Sequence, residues 1–284
     1  MRLASNAFPP TVASVVEWRK QWSPQMGLRQ WQNGKSAKEL AKAWFRTAGR
    51  AEVPPGFRSL LESHLATREL VIESVVGEPT IPLDAGRRRH SDLVLKGNAA
   101  EVPMLIHVEA KADEEFAKTC EAAWKTALRK EPKSTLPDRM SRLCHLLFGT
   151  KDFERCLENM PASLRQLRYQ LLYGVAATIL DAARQRISAA VFVVHELLPG
   201  NMTKPFLRDD GTPRPLLKAR QIKRNAQDLQ LFLATLTRYQ VNELSVGHLC
   251  DAGEFSPNNS DWLHLTAPAS VRLLVGKAVD VTEQ

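Results

Sequence analysis

The spacing of apolar and polar residues changes several times along the chain and indicates its secondary structure. Residues 70–76, 90–96 and 102–111 alternate or run apolar as half-buried strands do, so they predict three strands. Their short connections favour an antiparallel meander, with its last turn at Gly97–Asn98. Residues 79–86, between the first two strands, predict an extended arm and a turn.

Helical spacing precedes and follows this meander. Ser36 and Glu39 stand at the spacing of a capping box, which opens a helix. Helices are predicted at residues 36–49, 54–65, 114–130, 138–149, 163–186 and 215–236. Later strands are predicted at residues 187–196, 243–249 and 271–279. Strands followed by helices and a returning strand indicate the α/β class, with a mixed sheet of four or five strands flanked by helices.

Composition indicates an ordinary folded protein. The 284 residues are 44 % hydrophobic and 25 % charged, which is typical of globular domains. No stretch rich in Pro, Gly or Ser divides the chain, so we expect a single domain over residues 1–284, with its core at about 36–236 and additions at both ends. Four scattered cysteines exclude a disulfide framework and a zinc ribbon. Without a secretory signal pattern or a membrane-length apolar run, we expect a cytoplasmic protein with no membrane partner.

The charge balance favours a polyanionic partner. Lys and Arg total 39 against 31 Asp and Glu, a formal net charge of +8, which favours nucleic acid first and an anionic membrane second. Two basic groups are candidates for phosphate contact, and a solvated loop and a solvated helix face are the alternatives. They are Arg87, Arg88 and Arg89 before the strand of Asp92, and Lys218, Arg220, Lys223 and Arg224 on the last predicted helix.

One group of charged residues stands at the end of the predicted meander. Side chains alternate faces along a strand, so Glu109 and Lys111 share one side of the third strand. Pairing with the second strand brings Asp92 beside Glu109. Two carboxylates and an ammonium then meet next to apolar sequence, where a charge is costly unless it is paired or metal-bound. The alternative is a surface ion-pair cluster at a strand end.

Such a group has the parts that metal-assisted phosphodiester hydrolysis needs. A Mg²⁺ ion relieves the repulsion between two carboxylates by taking oxygen ligands from both. It also lowers the pKa of a bound water and neutralises charge on a phosphoryl oxygen. A neighbouring lysine orients the hydroxide or stabilises the charge that develops in the transition state.

These residues resemble a known catalytic core. Asp92 followed by Glu109-Ala110-Lys111 is similar to the D…E-x-K pattern of the PD-(D/E)xK, or restriction-endonuclease-like, phosphodiesterase superfamily. The segments IPLDAG, RRRHSDLVLK, IHVEAKADE and RYQLL resemble uncharacterised bacterial members, and the resemblance runs from about residue 36 to about residue 236. Ser91 stands where the superfamily name has a proline.

The resemblance implies a restriction-endonuclease-like fold and a nuclease that depends on Mg²⁺ or Mn²⁺. It implies that Asp92 and Glu109 are metal ligands, that the Ala110 carbonyl is a third ligand, and that Lys111 is the catalytic lysine. Its substrate would be nucleic acid, with DNA favoured.

An upstream glutamate is also implied, and Glu39, Glu62 and Glu78 compete for this role. Glu78 fits the bacterial members best, whereas Glu39 stands on the helix that usually carries the residue. A second E-x-K, Glu131-Pro132-Lys133, follows a helix and has no strand around it, so we exclude it.

The longest predicted helix contributes two further candidates. Arg168 falls within its apolar face, where a guanidinium requires an anion, either a structural carboxylate or a substrate phosphate. Gln170 lies on a different side, and in the superfamily the helix after the third strand often lends a polar side chain to the site. The two cannot both face the same way. For Arg168, the structural alternative is a salt bridge to Glu73 or Glu109.

The leading hypothesis is a Mg²⁺-dependent nuclease that acts on DNA, as a homodimer or in a larger complex where both strands are cut. Two alternatives remain. One is a non-catalytic nucleic-acid-binding or interaction module on the same scaffold, which predicts salt-dependent binding without a metal requirement. The other is a nuclease subunit that is active only within a defence or repair complex.

Overall fold

The computed structural model describes residues 1–22, 31–47, 50–84, 87–112, 114–129, 134–149, 162–200, 210–213, 219–238, 245–257 and 270–282. The helices are α1 (Val15–Gln21), α2 (Ser36–Trp44), α3 (Pro55–Glu62), α4 (Cys120–Leu128), α5 (Leu136–Phe148), α6 (Ala162–Gln166), α7 (Tyr169–Arg184) and α8 (Ala219–Leu236). The strands are β1 (Arg2–Leu3), β2 (Val71–Gly77), β3 (Thr80–Asp84), β4 (Arg87–His90), β5 (Leu93–Ala99), β6 (Val102–Lys111), β7 (Ala189–Pro199), β8 (Leu249–Phe255) and β9 (Val271–Thr282). No helix within these ranges is long and apolar enough to cross a membrane.

A mixed sheet is the central feature of the fold. Its strand order is β1-β2-β5-β6-β7-β9-β8. Strand β5 is antiparallel to both β2 and β6, as the meander predicted, whereas β6 and β7, and β7 and β9, pair in parallel. The arm predicted between β2 and β5 forms a separate hairpin, β3–β4. The α/β class is therefore confirmed.

The sheet is larger than the four or five strands expected, because the chain termini add strands at both edges. Strand β1 has two residues and pairs in parallel with Val71 and Ile72. Strand β8 begins at Leu249, where the predicted strand 243–249 ends, and it is only partly buried. Neither edge has a long apolar alternation, so local patterning does not reveal it. The strand predicted at 271–279 is confirmed as β9.

Two apolar layers enclose the sheet. On one side, here called the α7 face, Leu172 of α7 and Phe232 of α8 belong to one buried cluster with Phe192 of β7. On the other side, the α2 face, Trp44 of α2 lies in a second cluster with Val193 of β7. Alternation along β7 sends Phe192 and Val193 to opposite faces, so each cluster covers one face of the sheet.

The helix predicted over residues 163–186 is interrupted between α6 and α7. Arg168 is extended there and forms a bridge with Thr119. The Cys120 N–H donates to the Leu167 carbonyl at 2.8 Å and fixes this contact. A tertiary pairing thus overrides the helical periodicity, and α4 begins at Cys120 rather than at the start of its predicted range.

Gly97 lies inside β5 and does not form the turn that the sequence predicted. A Cβ at this position would lie 2.1 Å from the Val71 carbonyl oxygen, so glycine allows β2 and β5 to approach. The turn falls instead at Ala100 and Glu101, whose φ angles of 47° and 67° are both positive. Two consecutive residues with positive φ form a tight turn whose twist matches that of the two strands it connects.

The capping box predicted at the start of α2 is not formed. Ser36 is the first residue of the helix, and Lys35 is its N-cap. The Ser36 hydroxyl donates to Glu114 at 2.9 Å, in the segment that follows β6. A tertiary hydrogen bond therefore replaces the local one that the spacing indicated.

Candidate functional site

Asp92 lies immediately before β5 and is held against β6. Its Oδ2 accepts the Ala110 N–H at 2.6 Å. The register pairs Leu93 with Val108, so the next position along each strand brings Asp92 toward Glu109. The charge of Glu109 acts directly on the Asp92 carboxyl. The two carboxylates that sequence alternation placed together are therefore neighbours.

Glu109 and Lys111 are buried at the end of β6. Lys111 Nζ donates to Glu109 Oε1 at 3.1 Å. Gln170, in the first turn of α7, contacts both: its Nε2 donates to Glu109 Oε1, and its Oε1 accepts from Lys111 Nζ at 3.2 Å. The Gln170 Oε1 also accepts the Ala117 N–H at 3.0 Å, which fixes the amide orientation. Gln170 is thus the helix candidate that reaches the carboxylate–lysine pair.

Three carboxylates, those of Glu78, Asp92 and Glu109, meet at this end of the sheet. The Glu78 N–H donates to the Asp92 carbonyl at 3.2 Å. Desolvation by the surrounding protein, and then the Glu109 charge, raise the pKa of Glu78 to about 7. Desolvation, followed by Glu109 and Glu78, also raises the pKa of Asp92 well above its ordinary value, against the opposing effect of Lys111. Both shifts favour the protonated forms of Glu78 and Asp92.

Lys111 is protonated at neutral pH. Burial lowers its pKa, but Glu109, Glu114 and Asp92 together raise it more, so the pKa of Lys111 lies above its ordinary value. Its Nζ lies 4.0 Å from Glu114 Oε1 and 5.3 Å from the centroid of the Phe116 ring. A protonated ammonium donates hydrogen bonds and stabilises negative charge, but it cannot accept a proton from water.

The raised pKa of Glu78 gives the metal-free protein a predictable pH dependence. Its pKa of about 7 in the folded protein exceeds the ordinary value of 4.5, so the folded state binds this proton more tightly than the unfolded state does. The resulting stabilisation is complete below about pH 4.5 and is lost as the pH rises through about 7. We therefore expect the free energy of unfolding, measured in EDTA by urea denaturation, to fall across this interval.

Two variants test this assignment. Glu78→Gln removes the titrating group, so its stability should fall less steeply across the same interval. Glu73→Gln, at an exposed position of β2, the strand that precedes Glu78, should keep the wild-type slope. A Glu78→Gln slope equal to that of the wild type would contradict the assignment.

The other two upstream glutamates have hydrogen-bond and ion-pair partners of their own. Glu39 is buried on α2, where its Oε1 accepts the Gly34 N–H at 2.8 Å and a hydrogen bond from Lys42 Nζ at 3.0 Å. Glu62 pairs with the N-terminal amine at 3.2 Å. Of the three candidates, Glu78 has the electrostatic contact with the site.

Arg168 forms a structural ion pair, the alternative that the sequence left open. Its Nε donates to Asp228 Oδ2 on α8 at 2.8 Å, and its Nη1 donates to the Ala117 carbonyl at 3.3 Å. Glu115 lies 3.9 Å away and also pairs with Arg224. Among the described residues, the carboxylate closest to Arg168 is thus Asp228, and not Glu73 or Glu109 as the sequence suggested. The sequence could not identify Asp228 because the partner lies on a distant helix.

The predicted basic residues are described only in part. Lys218 and the second E-x-K at 131–133 lie outside the described residues. The backbone of Arg87–Arg89 forms β4, and their side chains lie outside the described part. Arg220 and Lys223 are exposed near the start of α8.

The start of α8 is docked beside the segment that follows β6. Arg224 Nη1 lies 3.3 Å from Glu115 Oε2, and Asn225 Nδ2 donates to the Glu114 carbonyl at 3.1 Å. Arg220 precedes Arg224 by one helical turn, so these two side chains project from the same side of the helix. The exposed basic residues of α8 therefore lie close to the charged end of β6.

A second buried ion pair continues the charged row across the parallel strands. Lys277 of β9 lies 2.5 Å from Glu196 of β7, and both side chains are 3 % exposed. The register places Glu196 beside Lys111. Sequence reasoning missed this pair: a charge within each of two mostly apolar strands was a signal of a buried partner, but it did not identify which residues pair.

The donor chemistry of the site suits a hard divalent cation. Carboxylate and carbonyl oxygens are the ligands that Mg²⁺ and Mn²⁺ prefer. Within the described ranges, no three His, Cys, Asp or Glu side chains are arranged to hold a metal ion as they stand. Desolvation, and then the neighbouring carboxylates, raise the pKa values of Glu78 and Asp92, and a bound cation would offset the contribution of the carboxylates.

Comparison with known proteins gives a family and no further relative. No curated protein and no solved structure matches the chain. Residues 11–278 match the family described as Domain of unknown function (DUF6946). Because this match spans nearly the whole chain, the protein belongs to that family.

Proposed function

We propose that this protein is a cytoplasmic nuclease that hydrolyses DNA phosphodiester bonds with Mg²⁺ or Mn²⁺, as a member of the PD-(D/E)xK superfamily. The observation that carries the proposal is the meeting of Glu78, Asp92 and Glu109 beside the buried Lys111. Bringing together one buried and two half-buried carboxyl groups is costly unless protons or a cation offset their charge. A cation-dependent reaction on a polyanion explains why these residues are kept together.

The strand arrangement supports a restriction-endonuclease-like fold. Asp92 and the Glu109-Ala110-Lys111 segment belong to neighbouring antiparallel strands, and the next strand, β7, returns parallel to β6 after a helical segment. Helix α7 lies between β6 and β7 in the chain and supplies Gln170 to the site. This order agrees with the helix, meander, helix and strand order that the resemblance implies.

Asp92 and Glu109, with the Ala110 carbonyl, are the residues that would hold the metal. A Mg²⁺ or Mn²⁺ ion there would lower the pKa of a bound water and neutralise charge on the scissile phosphoryl group. Hydrolysis forms a bond from the water oxygen to phosphorus and breaks the bond to one bridging oxygen. The products are a phosphate monoester end and a free hydroxyl end.

Lys111 would stabilise the charge that develops on the phosphoryl oxygens. Because it is protonated, it acts as a hydrogen-bond donor and a positive charge rather than as a general base. Gln170 holds this ammonium and the Glu109 carboxylate in one orientation by bonding to both. The side chains thus keep the donor in place before substrate arrives.

Cleavage of plasmid and of single- and double-stranded oligonucleotides by the purified full chain tests the proposal. We expect products with Mg²⁺ or Mn²⁺ and none with EDTA. Glu121→Gln, which changes an exposed glutamate of α4 paired with Lys125, should cleave at the wild-type rate. Salt-dependent DNA binding that is indifferent to metal would favour the binding-module alternative. A chain that binds Mn²⁺ but cuts no DNA would favour the subunit alternative.

We expect the exposed basic residues of α8 to contact the DNA backbone. The variant Arg220→Gln/Lys223→Gln should bind DNA more weakly. The slope of log affinity against log salt concentration should become shallower by up to about 1.8, because two phosphate contacts release about 0.9 counterion each. Fluorescence anisotropy with a labelled duplex over a salt series measures both quantities.

Helix α1 offers the matched control. Arg19 and Lys20 are likewise exposed and lie on one helix, but α1 packs through Trp18 into the cluster on the α2 face, opposite Glu109. Arg19→Gln/Lys20→Gln changes the net charge equally and should leave the salt slope unchanged. Equal losses in both double variants would show that net charge alone attracts DNA, against a contact surface on α8.

A further inference from the structure

A buried chain of three polar side chains lies behind the carboxylates on the α7 face. Ser91 Oγ and His107 Nδ1 are 3.2 Å apart, and His107 Nε2 lies 2.9 Å from Asp181 Oδ2 on α7. Ser91 and His107 are fully buried. His107 is therefore a hydrogen-bonded histidine within the core.

The hydrogen-bond partners of His107 determine which of its ring nitrogens donates and which accepts. Burial raises the pKa of Asp181, but the His107 and Gln185 hydrogen bonds lower it more, so the pKa of Asp181 lies below its ordinary value and the group is a carboxylate. Its oxygen therefore accepts the Nε2–H of His107. In the neutral ring, Nδ1 then accepts the Ser91 hydroxyl hydrogen. The ring is thus held at both nitrogens.

This chain ends beside the metal-ligand candidates. Ser91 directly precedes Asp92, and its N–H donates to the Pro79 carbonyl at 3.3 Å. The Asp92 side chain itself accepts the Ala110 N–H. The Ser91–Asp92 segment lies outside the β5 ladder, so these few hydrogen bonds, together with the one to His107, set its position.

We propose that His107 is a positioning residue for the site, which holds the Ser91–Asp92 segment in place through Ser91 and is itself anchored on α7 by Asp181. Helix α7 then supports the site through two residues. Gln170 contacts Glu109 and Lys111, and Asp181 fixes His107. The expected loss of cleavage rests on the proposed function, whereas the expected displacement of Asp92 does not. Residues that orient metal ligands in this way commonly change metal affinity by 10- to 100-fold.

The other face of the sheet offers a matched pair of the same chemistry. His195 Nε2 lies 2.9 Å from Asp280 Oδ2, and both residues are buried. Asp280 caps α3 by accepting the Gly56 and Phe57 N–H groups. Loss of His195 should therefore cost stability, as should loss of His107, but without moving Asp92.

Two readouts distinguish positioning from general stability. The first is hydrogen exchange at the Ala110 amide, which donates to Asp92 and so reports on its position without any metal or substrate. The second is Mn²⁺ affinity by calorimetry, with kcat and KM for DNA cleavage. The variants are Ser91→Ala, His107→Leu and His107→Gln, with His195→Leu as the control. Ser91→Ala removes only a hydroxyl and keeps the test usable where His107→Leu fails to fold.

We expect Ser91→Ala and His107→Leu to lose Ala110 amide protection, to bind Mn²⁺ about 10- to 100-fold more weakly, and to lose kcat with little change in KM. His107→Gln keeps one N–H donor and one oxygen acceptor, so it should recover part of each loss. His195→Leu should lower the melting temperature without these effects. Unchanged Ala110 protection in Ser91→Ala and His107→Leu would overturn the positioning role. Lost protection in a protein without metal-dependent cleavage would support positioning and reject only the proposed function.

Discussion

Replacing Lys111 by Met is expected to lower the rate of metal-dependent DNA cleavage by about 10²- to 10³-fold, the usual cost of removing one preorganised donor to transition-state charge. Mn²⁺ affinity should be retained or increased, because the substitution removes a positive charge that hydrogen-bonds Glu109 at 3.1 Å. Single-turnover cleavage and calorimetry on the same preparation measure the two effects. The Lys111→Met variant should therefore bind Mn²⁺ but cleave DNA slowly.

Two variants control this experiment. Glu109→Gln should reverse the pattern and weaken Mn²⁺ binding, because it removes a candidate ligand. Lys125→Met removes an exposed lysine that forms an ion pair with Glu121 on α4. It should alter neither the cleavage rate nor the Mn²⁺ affinity. Cleavage by Lys111→Met at the wild-type rate would remove Lys111 from the mechanism, whatever the outcome for the carboxylates.

Replacing Arg168 by Met is expected to lower the free energy of unfolding by about 3 kcal/mol, because breaking a buried ion pair leaves its partner uncompensated. The Arg168 and Asp228 side chains are 8 % and 15 % exposed and lie 2.8 Å apart. The guanidinium also joins α8 to the segment before α4 through the Ala117 carbonyl. Urea denaturation at neutral pH measures the loss.

The exposed Lys223 on the same helix provides the comparison. Lys223→Met should change the free energy of unfolding by no more than about 0.5 kcal/mol. Folded Arg168→Met should bind Mn²⁺ with the wild-type affinity, since Arg168 pairs with Asp228 and not with Glu109. If Arg168→Met lost Mn²⁺ affinity or cleavage while its stability was unchanged, Arg168 would belong to the active site.

The central part of the fold was predictable because its signals are local. The alternation in β5 and β6 depends only on the two-residue period of a strand, and it correctly put Asp92 and Glu109 together at one end of a hairpin. The same period put Lys111 on the side of Glu109. Alternation fixed the side on which each side chain lies, whereas the register that joins Asp92 to Glu109 depends on the turn at Ala100 and Glu101 rather than at Gly97–Asn98.

The parts that could not be predicted depend on contacts between distant segments. The break before α7 requires the bridge between Arg168 and Thr119, which helical periodicity cannot reveal. The choice of Glu78 over Glu39 depends on how the chain leaves β2, with Glu78 at a positive φ of 49°. The buried pair of Glu196 and Lys277 requires the parallel alignment of two strands far apart in sequence.

The position of a bound Mn²⁺ ion tests the central claim most directly. Crystals of the full chain soaked in Mn²⁺ should show an anomalous difference peak within coordination distance of the Asp92 and Glu109 carboxylates and the Ala110 carbonyl. The peak should be absent from Glu109→Gln crystals soaked in the same way. No peak at saturating Mn²⁺, or a peak bound only by residues away from Asp92 and Glu109, would contradict a metal-dependent site at the end of β6.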